Sequence, residues 1–161
     1  MRQIFSWLRP RPTPRSSHLE FGAYGERLAV EFLKRRGYRI VVTNFVAPIG
    51  VGLHGRRVTG ELDIIAIDES AGDSVFAFVE VKTRRSATVA APEAAVDLRK
   101  QRQIIRAARV YLRLMSLTNE PYRFDVVSII GQGGAPAEIT LLRGYFTEAS
   151  FFQSQWWSRG F

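Results

Sequence analysis

The sequence predicts a mixed α/β domain, a central sheet flanked by helices, and three observations carry that reading. Between Gly60 and Lys82, two β-branched and aromatic runs flank a short polar cluster, the pattern of an antiparallel hairpin. A second pair of strand-like runs, Tyr122 to Ile130 and Glu138 to Tyr145, is joined through Gly131-Gln132-Gly133-Gly134. Before and between these hairpins lie two stretches whose apolar residues recur at helical spacing. With 161 residues, 46% hydrophobic and 12% aromatic, the chain has the length and composition of one domain with an ordinary core.

Charge and composition narrow the function classes. A net charge of +8 favours a polyanionic partner through counterion release, although the same charge also serves solubility. The absence of cysteine excludes disulfides, thiolate metal sites and cysteine nucleophiles. It agrees with a cytoplasmic location, which is the expectation. No apolar run approaches the roughly 20 residues that span a bilayer, so no membrane association is expected.

Taken in order, Met1 to His18 holds four arginines, three prolines and no acid, and reads as a flexible basic arm. Ser17-His18-Leu19-Glu20 fits a capping box that opens the first helix. Phe21, Leu28 and Phe32 form its expected buried stripe, and Gly37 its left-handed cap. A first strand follows at Arg39 to Thr43, then a Gly-rich connection from Ala47 to Thr59 that carries Arg56 and Arg57. Within it Gly50-Val51-Gly52-Leu53-His54-Gly55 matches a dinucleotide fingerprint literally. A strand follows where the fingerprint requires a helix, so no nucleotide cofactor is expected. His18 and His54 have neither HExxH nor zinc spacing.

In the first hairpin, a tip at Ala71 and Gly72 puts Asp63 and Glu80 directly opposite one another. The period of two adds Lys82 to that face, with Glu61 across from it. Opposed carboxylates repel by roughly 0.2 to 1 kcal/mol on a sheet and by more where solvent is scarce, so the arrangement asks for a cation. Oxygen-only ligands suit Mg²⁺ or Mn²⁺, with water and a substrate phosphate completing the shell. For Glu61, an ion pair with Lys82 competes with a metal role.

A second helix is expected from Pro92 to about Leu117. It carries Arg99, Arg102, Arg106, Arg109 and Arg113 on one face, with Leu98, Ile105, Ala108, Leu112 and Met115 turned to the core. The arginine stripe reads as a solvated face or as phosphate contacts, with phosphate the favoured reading. Asp125, in the second hairpin, reads as a structural acid. The tail holds Phe151, Phe152, Trp156, Trp157 and Phe161, which could stack on bases, pack on a partner or close the core.

Asp63 followed after a hairpin by Glu80-Val81-Lys82 resembles the PD-(D/E)XK nuclease signature, without the literal Pro-Asp. Gly22, Gly25-Glu26, Gly37-Tyr38, Asn44, Gly60-Glu61-Leu62-Asp63, Val79-Glu80-Val81-Lys82-Thr83-Arg84, Lys100, Tyr111-Leu112 and Phe124-Asp125 extend the likeness. Together they resemble the bacterial UPF0102 (YraN-like) family, itself similar to archaeal Holliday-junction resolvases, over about Leu19 to Leu142. The Ala47 to Thr59 connection departs from that pattern by its length.

The resemblance implies a restriction-endonuclease-like α/β core, a mixed central β-sheet flanked by helices, spanning 19–145 between a basic arm (1–18) and an aromatic tail (146–161). It also implies a metal-dependent DNA endonuclease. Asp63, Glu80 and the Val81 carbonyl would hold Mg²⁺ or Mn²⁺, Glu26 would add a carboxylate, and Lys82 would act beside the metal. Arg84, Arg85, Arg99, Lys100, Arg102 and Arg106 would meet DNA, branched or duplex, and a two-fold junction would call for a homodimer. The alternatives are a nucleic-acid-binding protein that cleaves nothing, and an interaction protein that uses its aromatic tail.

Overall fold

A computed structural model describes residues 14–84, 96–131 and 137–149. Most of the expected arm, Arg85, the expected helix start at Pro92, most of the glycine connection after Gly131 and the tail aromatics lie outside the described residues.

The first helix, α1, spans Pro14–Arg35. It starts three residues before the predicted cap, which leaves Ser17 within the helix. Proline suits a first turn, where its missing N–H has no partner to lose. The face turned inward is Gly25, Ala29 and Leu33, with Phe21, Leu28 and Phe32 only half-buried. Small residues rather than aromatics face the sheet because the helix lies so close: a Cβ on Gly25 would sit 1.9 Å from Thr83 Oγ1. The helix closes as predicted, on Gly37 at φ +83°, whose N–H reaches Lys34 O at 3.1 Å.

Five strands follow: β1 (Tyr38–Val51), β2 (Arg57–Asp68), β3 (Val75–Arg84), β4 (Tyr122–Ile130) and β5 (Glu138–Phe146), with α2 (Leu98–Leu114) between β3 and β4. They form one mixed sheet in the order β1-β2-β3-β4-β5, parallel at β3–β4 and antiparallel elsewhere. The parallel pair arises because the chain crosses over through α2 before re-entering the sheet. β2 and β3 pair from Ile64↔Val79 to Asp68↔Val75, which centres the hairpin between Ala71 and Gly72 as the composition predicted.

The Gly-rich connection is not a loop. β1 runs through it to Val51 and β2 starts at Arg57, so the two strands make an arm paired out to Val51↔Arg57 and closed by a 3₁₀ turn at Leu53–Gly55. Glycine and proline masked its strand character, and a register shift at Pro48/Gly50 absorbs their irregularity.

The second helix begins at Leu98, capped by Asp97, whose side chain accepts the Lys100 N–H at 2.8 Å. Its core face is Ile104, Ile105, Ala107, Ala108, Tyr111 and Leu112. The predicted Leu98 and Met115 are each 51% exposed, because they fall at the two ends of the helix, past the sheet beneath it. The two helices cover opposite faces of the sheet. One core cluster joins Ala29 and Leu33 to Ile64, Ala77, Val79 and Val127. The other joins the α2 residues to Leu62, Phe78, Phe124 and Val126. Among the described residues no helix is long and apolar enough to cross a membrane.

Asp125 is the structural acid the sequence suggested. It is fully buried, accepts from Arg123 Nε at 2.9 Å, from Tyr38 Oη at 3.3 Å and from Gly144 N at 2.8 Å, and shares Arg123 with the buried Asp68.

Candidate active site

The site is a fork in the sheet. β2 stays with β1 as far as Arg57, while β3 stays with β4 as far as Arg84. Between β2 and β3 the pairing ends at Ile64↔Val79. The next residues of the two strands are Asp63 and Glu80. Past the last rung, the Val81 N–H donates to Asp63 Oδ2 at 2.8 Å, so a side chain takes the place of a strand partner. In an extended residue the N–H and C=O face the same edge, and the Val81 carbonyl is therefore turned toward the fork as well.

Glu80 is 3% exposed. Lys82 Nζ lies 2.7 Å from its Oε1, and Lys100 Nζ, from the first turn of α2, lies 3.1 Å from its Oε2. The second ammonium is within ion-pair reach but off the hydrogen-bond direction. Glu80 Oε2 is thus the one buried side-chain polar atom among the described residues with no hydrogen bond. Burial, then the Glu80 charge, pushes the Asp63 carboxyl up to about 7, against the pull of the Val81 N–H and Lys100. Burial alone would lower Lys100; the carboxylates of Glu80 and Asp63 outweigh it and raise the ammonium.

Glu26 is half-buried on α1, the helix of the opposite layer. Its charge is the last and weakest of the named influences on Asp63. It lines an open groove of about 500 Å³ with Arg27, Val30, Glu31, Thr43 and Asn44. Glu61 is exposed, and Lys82 turns to Glu80 rather than across the strands to it.

Among the described residues no three Asp, Glu or His side chains gather as a group that could hold a metal ion. What the fork offers is two carboxylates and a main-chain carbonyl. That set fits Mg²⁺ or Mn²⁺, which take one or two carboxylates and keep water and phosphate oxygens for the rest. The buried Glu80 Oε2, which has no hydrogen bond, is an oxygen such an ion could use.

A family model described as "Uncharacterised protein family UPF0102" matches residues 25–129, which include α1 from Gly25, the fork and α2. The chain belongs to this family. Its UPF0102 relatives include a protein of Geotalea uraniireducens, 40% identical over 84% of this chain and 96% of the relative. Another, from Pelobacter propionicus, is 39% identical over 78% and 81%, and one from Bacteroides thetaiotaomicron is 38% identical over 74% and 86%. Among solved structures, the crystal structure of SSO0001 overlaps 92% of this chain and 62% of its own at 14% identity and a TM-score of 0.35.

Around the fork this UPF0102 chain is basic. Arg99, Arg102 and Arg106 are exposed along α2, and Arg84 is half-buried at the end of β3. Arg109, of the same stripe, is held by Glu148. Arg56 and Arg57 are exposed at the outer end of the β1–β2 arm. Gly60 at the arm's base lets α2 close in, since a Cβ there would lie 3.0 Å from Gln103 O and 3.2 Å from Ala107 Cβ. That approach carries Lys100 to Glu80. Sequence reasoning placed Lys100 on DNA and missed this pairing. The available signal was its position in the first turn of a helix that follows Glu80-Val81-Lys82 closely in the chain.

Proposed function

We propose that this UPF0102 protein is a metal-dependent nuclease that hydrolyses DNA phosphodiester bonds at the fork. The observation that carries the reading is the opposition of Asp63 and Glu80, with Glu80 Oε2 buried and without a hydrogen bond, beside Lys82. Asp63, Glu80 and the Val81 carbonyl would hold Mg²⁺ or Mn²⁺, and Glu26 would act at longer range. A bound divalent ion supplies Lewis acidity toward a phosphoryl oxygen and a water of lowered pKa.

The chain's own groups supply the rest. Lys82, anchored on Glu80 Oε1, keeps an ammonium where negative charge grows on the phosphate. The Val81 N–H fixes the Asp63 carboxylate at the mouth of the fork. Arg84, Arg99, Arg102 and Arg106 offer cations to the phosphates of the duplex. The arm extends that surface: Arg57 stands six residues beyond Asp63, about 20 Å at strand rise. A DNA substrate and a cysteine-free chain fit a cytoplasmic location.

The test is cleavage of labelled linear duplex, single strand, flap and four-way junction with Mg²⁺, Mn²⁺ or EDTA, by wild type, Glu80→Ala and Lys82→Ala. Metal-dependent products that both substitutions abolish are expected, and preference for the junction would point to a two-fold dimer, readable as solution mass. The second reading is a DNA-binding protein without catalysis. It draws on there being, among the described residues, only two converging carboxylates, one already flanked by two ammonium groups. Binding without cleavage of any substrate would establish it.

A further inference from the structure

Glu80 is a single carboxylate with two lysines, and the two are held differently. Lys82 comes from the same strand two residues on and lies 2.7 Å from Oε1, with 32% of its side chain exposed. Lys100 comes from another element, α2, lies 3.1 Å from Oε2 in a direction that makes no hydrogen bond, and has 29% of its side chain exposed. It therefore sits beside the Glu80 oxygen that has no hydrogen bond, and its four-carbon stem can swing outward. Glu80, Asp63 and Glu61 all act on this ammonium, so Lys100 balances the fork together with Lys82.

We propose that Lys100 is an exchangeable internal counter-ion: it occupies Glu80 Oε2 in the metal-free protein, yields that oxygen to an entering divalent ion, and places its ammonium on a substrate phosphate. The proposal rests on the metal-dependent reading of the fork and adds an ordering to it. Metal and DNA become coupled ligands, because the ion releases a cation that DNA then uses. Without metal, Lys100 is committed to Glu80 and adds little to DNA binding. With metal, the same residue joins Arg99, Arg102 and Arg106 at the phosphates. Lys100 is a positioning cation in the first state and a substrate contact in the second.

Two binding measurements test this without relying on turnover. Mn²⁺ is titrated, by the loss of free-ion EPR signal, into wild type, Asp63→Asn, Lys100→Met and Lys100→Gln. Labelled duplex affinity is measured for wild type and both Lys100 variants in EDTA and in Ca²⁺, which organises such sites with little cleavage. Wild type is expected to bind Mn²⁺ and Asp63→Asn to lose it. The Lys100 variants should bind Mn²⁺ about three- to tenfold more tightly, because the competing ammonium is gone.

In EDTA the variants should bind DNA within about twofold of wild type. In Ca²⁺ they should lose at least half of the affinity gain, on a logarithmic scale, that wild type shows. If wild type binds Mn²⁺ at Asp63 but the Lys100 variants keep the full Ca²⁺-dependent gain, the exchange is wrong and the metal site stands. An equal loss of DNA affinity in EDTA and in Ca²⁺ also overturns it, since Lys100 would then be a constant phosphate contact. If wild type binds no Mn²⁺, the metal reading itself falls. Lys100→Gln, polar and uncharged, serves where Lys100→Met does not fold.

Discussion

The Val81 N–H donates to the Asp63 carboxylate at 2.8 Å, with Asp63 one residue and Val81 two residues past the last paired residues of β2 and β3. This bond ties the geometry of the fork to the state of one acid. It favours the ionised carboxylate, yet burial and the Glu80 charge outweigh it and push Asp63 up to about 7.

A stability profile follows from that balance. A carboxyl raised from the usual value of about 4 to about 7 binds its proton more tightly when folded. The metal-free protein is therefore least stable, on this account, above pH 7, and gains stability as the pH falls from 8 toward 4. Asp63→Asn keeps an acceptor for Val81 and removes the charge. Urea unfolding in EDTA at pH 8 should show the variant more stable by about 1 to 4 kcal/mol, with the difference vanishing near pH 4. Excess Mg²⁺ should flatten the wild-type profile.

Glycine 25 sets how near α1 comes to β3. Alanine would ordinarily favour a helix by about 1 kcal/mol, but here its Cβ would lie 1.9 Å from Thr83 Oγ1. Gly25→Ala should destabilise by about 1 to 3 kcal/mol. Thr83→Ala should recover part of the loss, and a double-mutant cycle by urea unfolding gives the coupling directly.

At the other end of the sheet, Arg123 serves the buried Asp68 and Asp125 together. Arg123→Met should cost about 3 to 5 kcal/mol in urea, because two buried carboxylates lose their shared cation. Burial alone would raise Asp68, but the Ser70 and Arg123 hydrogen bonds hold it well below the usual carboxylate range. Its contribution is present above about pH 4 and is lost as the pH falls toward its folded value. The acid limb of the wild-type stability curve should therefore be steeper than that of Arg123→Met.

For the arm, Arg56→Ala with Arg57→Ala should weaken binding of a long duplex roughly tenfold at moderate salt. The slope of log affinity against log salt should shrink by about 1 to 2. Arg39, at the opposite end of β1 and held by Glu69, is the control: Arg39→Ala should leave the slope unchanged. Equal effects of both changes would mean that the arm is not a contact.

The opposition of Asp63 and Glu80 was legible in the sequence because it depends on two local quantities, the period of two along a strand and the residues that turn the chain at Ala71 and Gly72. The α/β class and the second hairpin were legible for the same reason, and Asp125 was read as structural because an acid within a strand is more often a satisfied partner than a metal ligand. The arm was not, since glycine and proline mark both loops and irregular edge strands, and only pairing with β2 distinguishes them. Nor was the inward face of α1: helical spacing shows that there is a stripe, while the distance to the sheet decides whether Phe21 or Gly25 fills it. Lys100 is the sharpest case. Its place on an exposed-looking basic helix suggested phosphate alone, and only the packing of α2 over Gly60 brings its ammonium to Glu80. Chain-local chemistry determined which acids face each other and that Lys82 joins them; through-space packing decided that a second cation, Lys100, answers them.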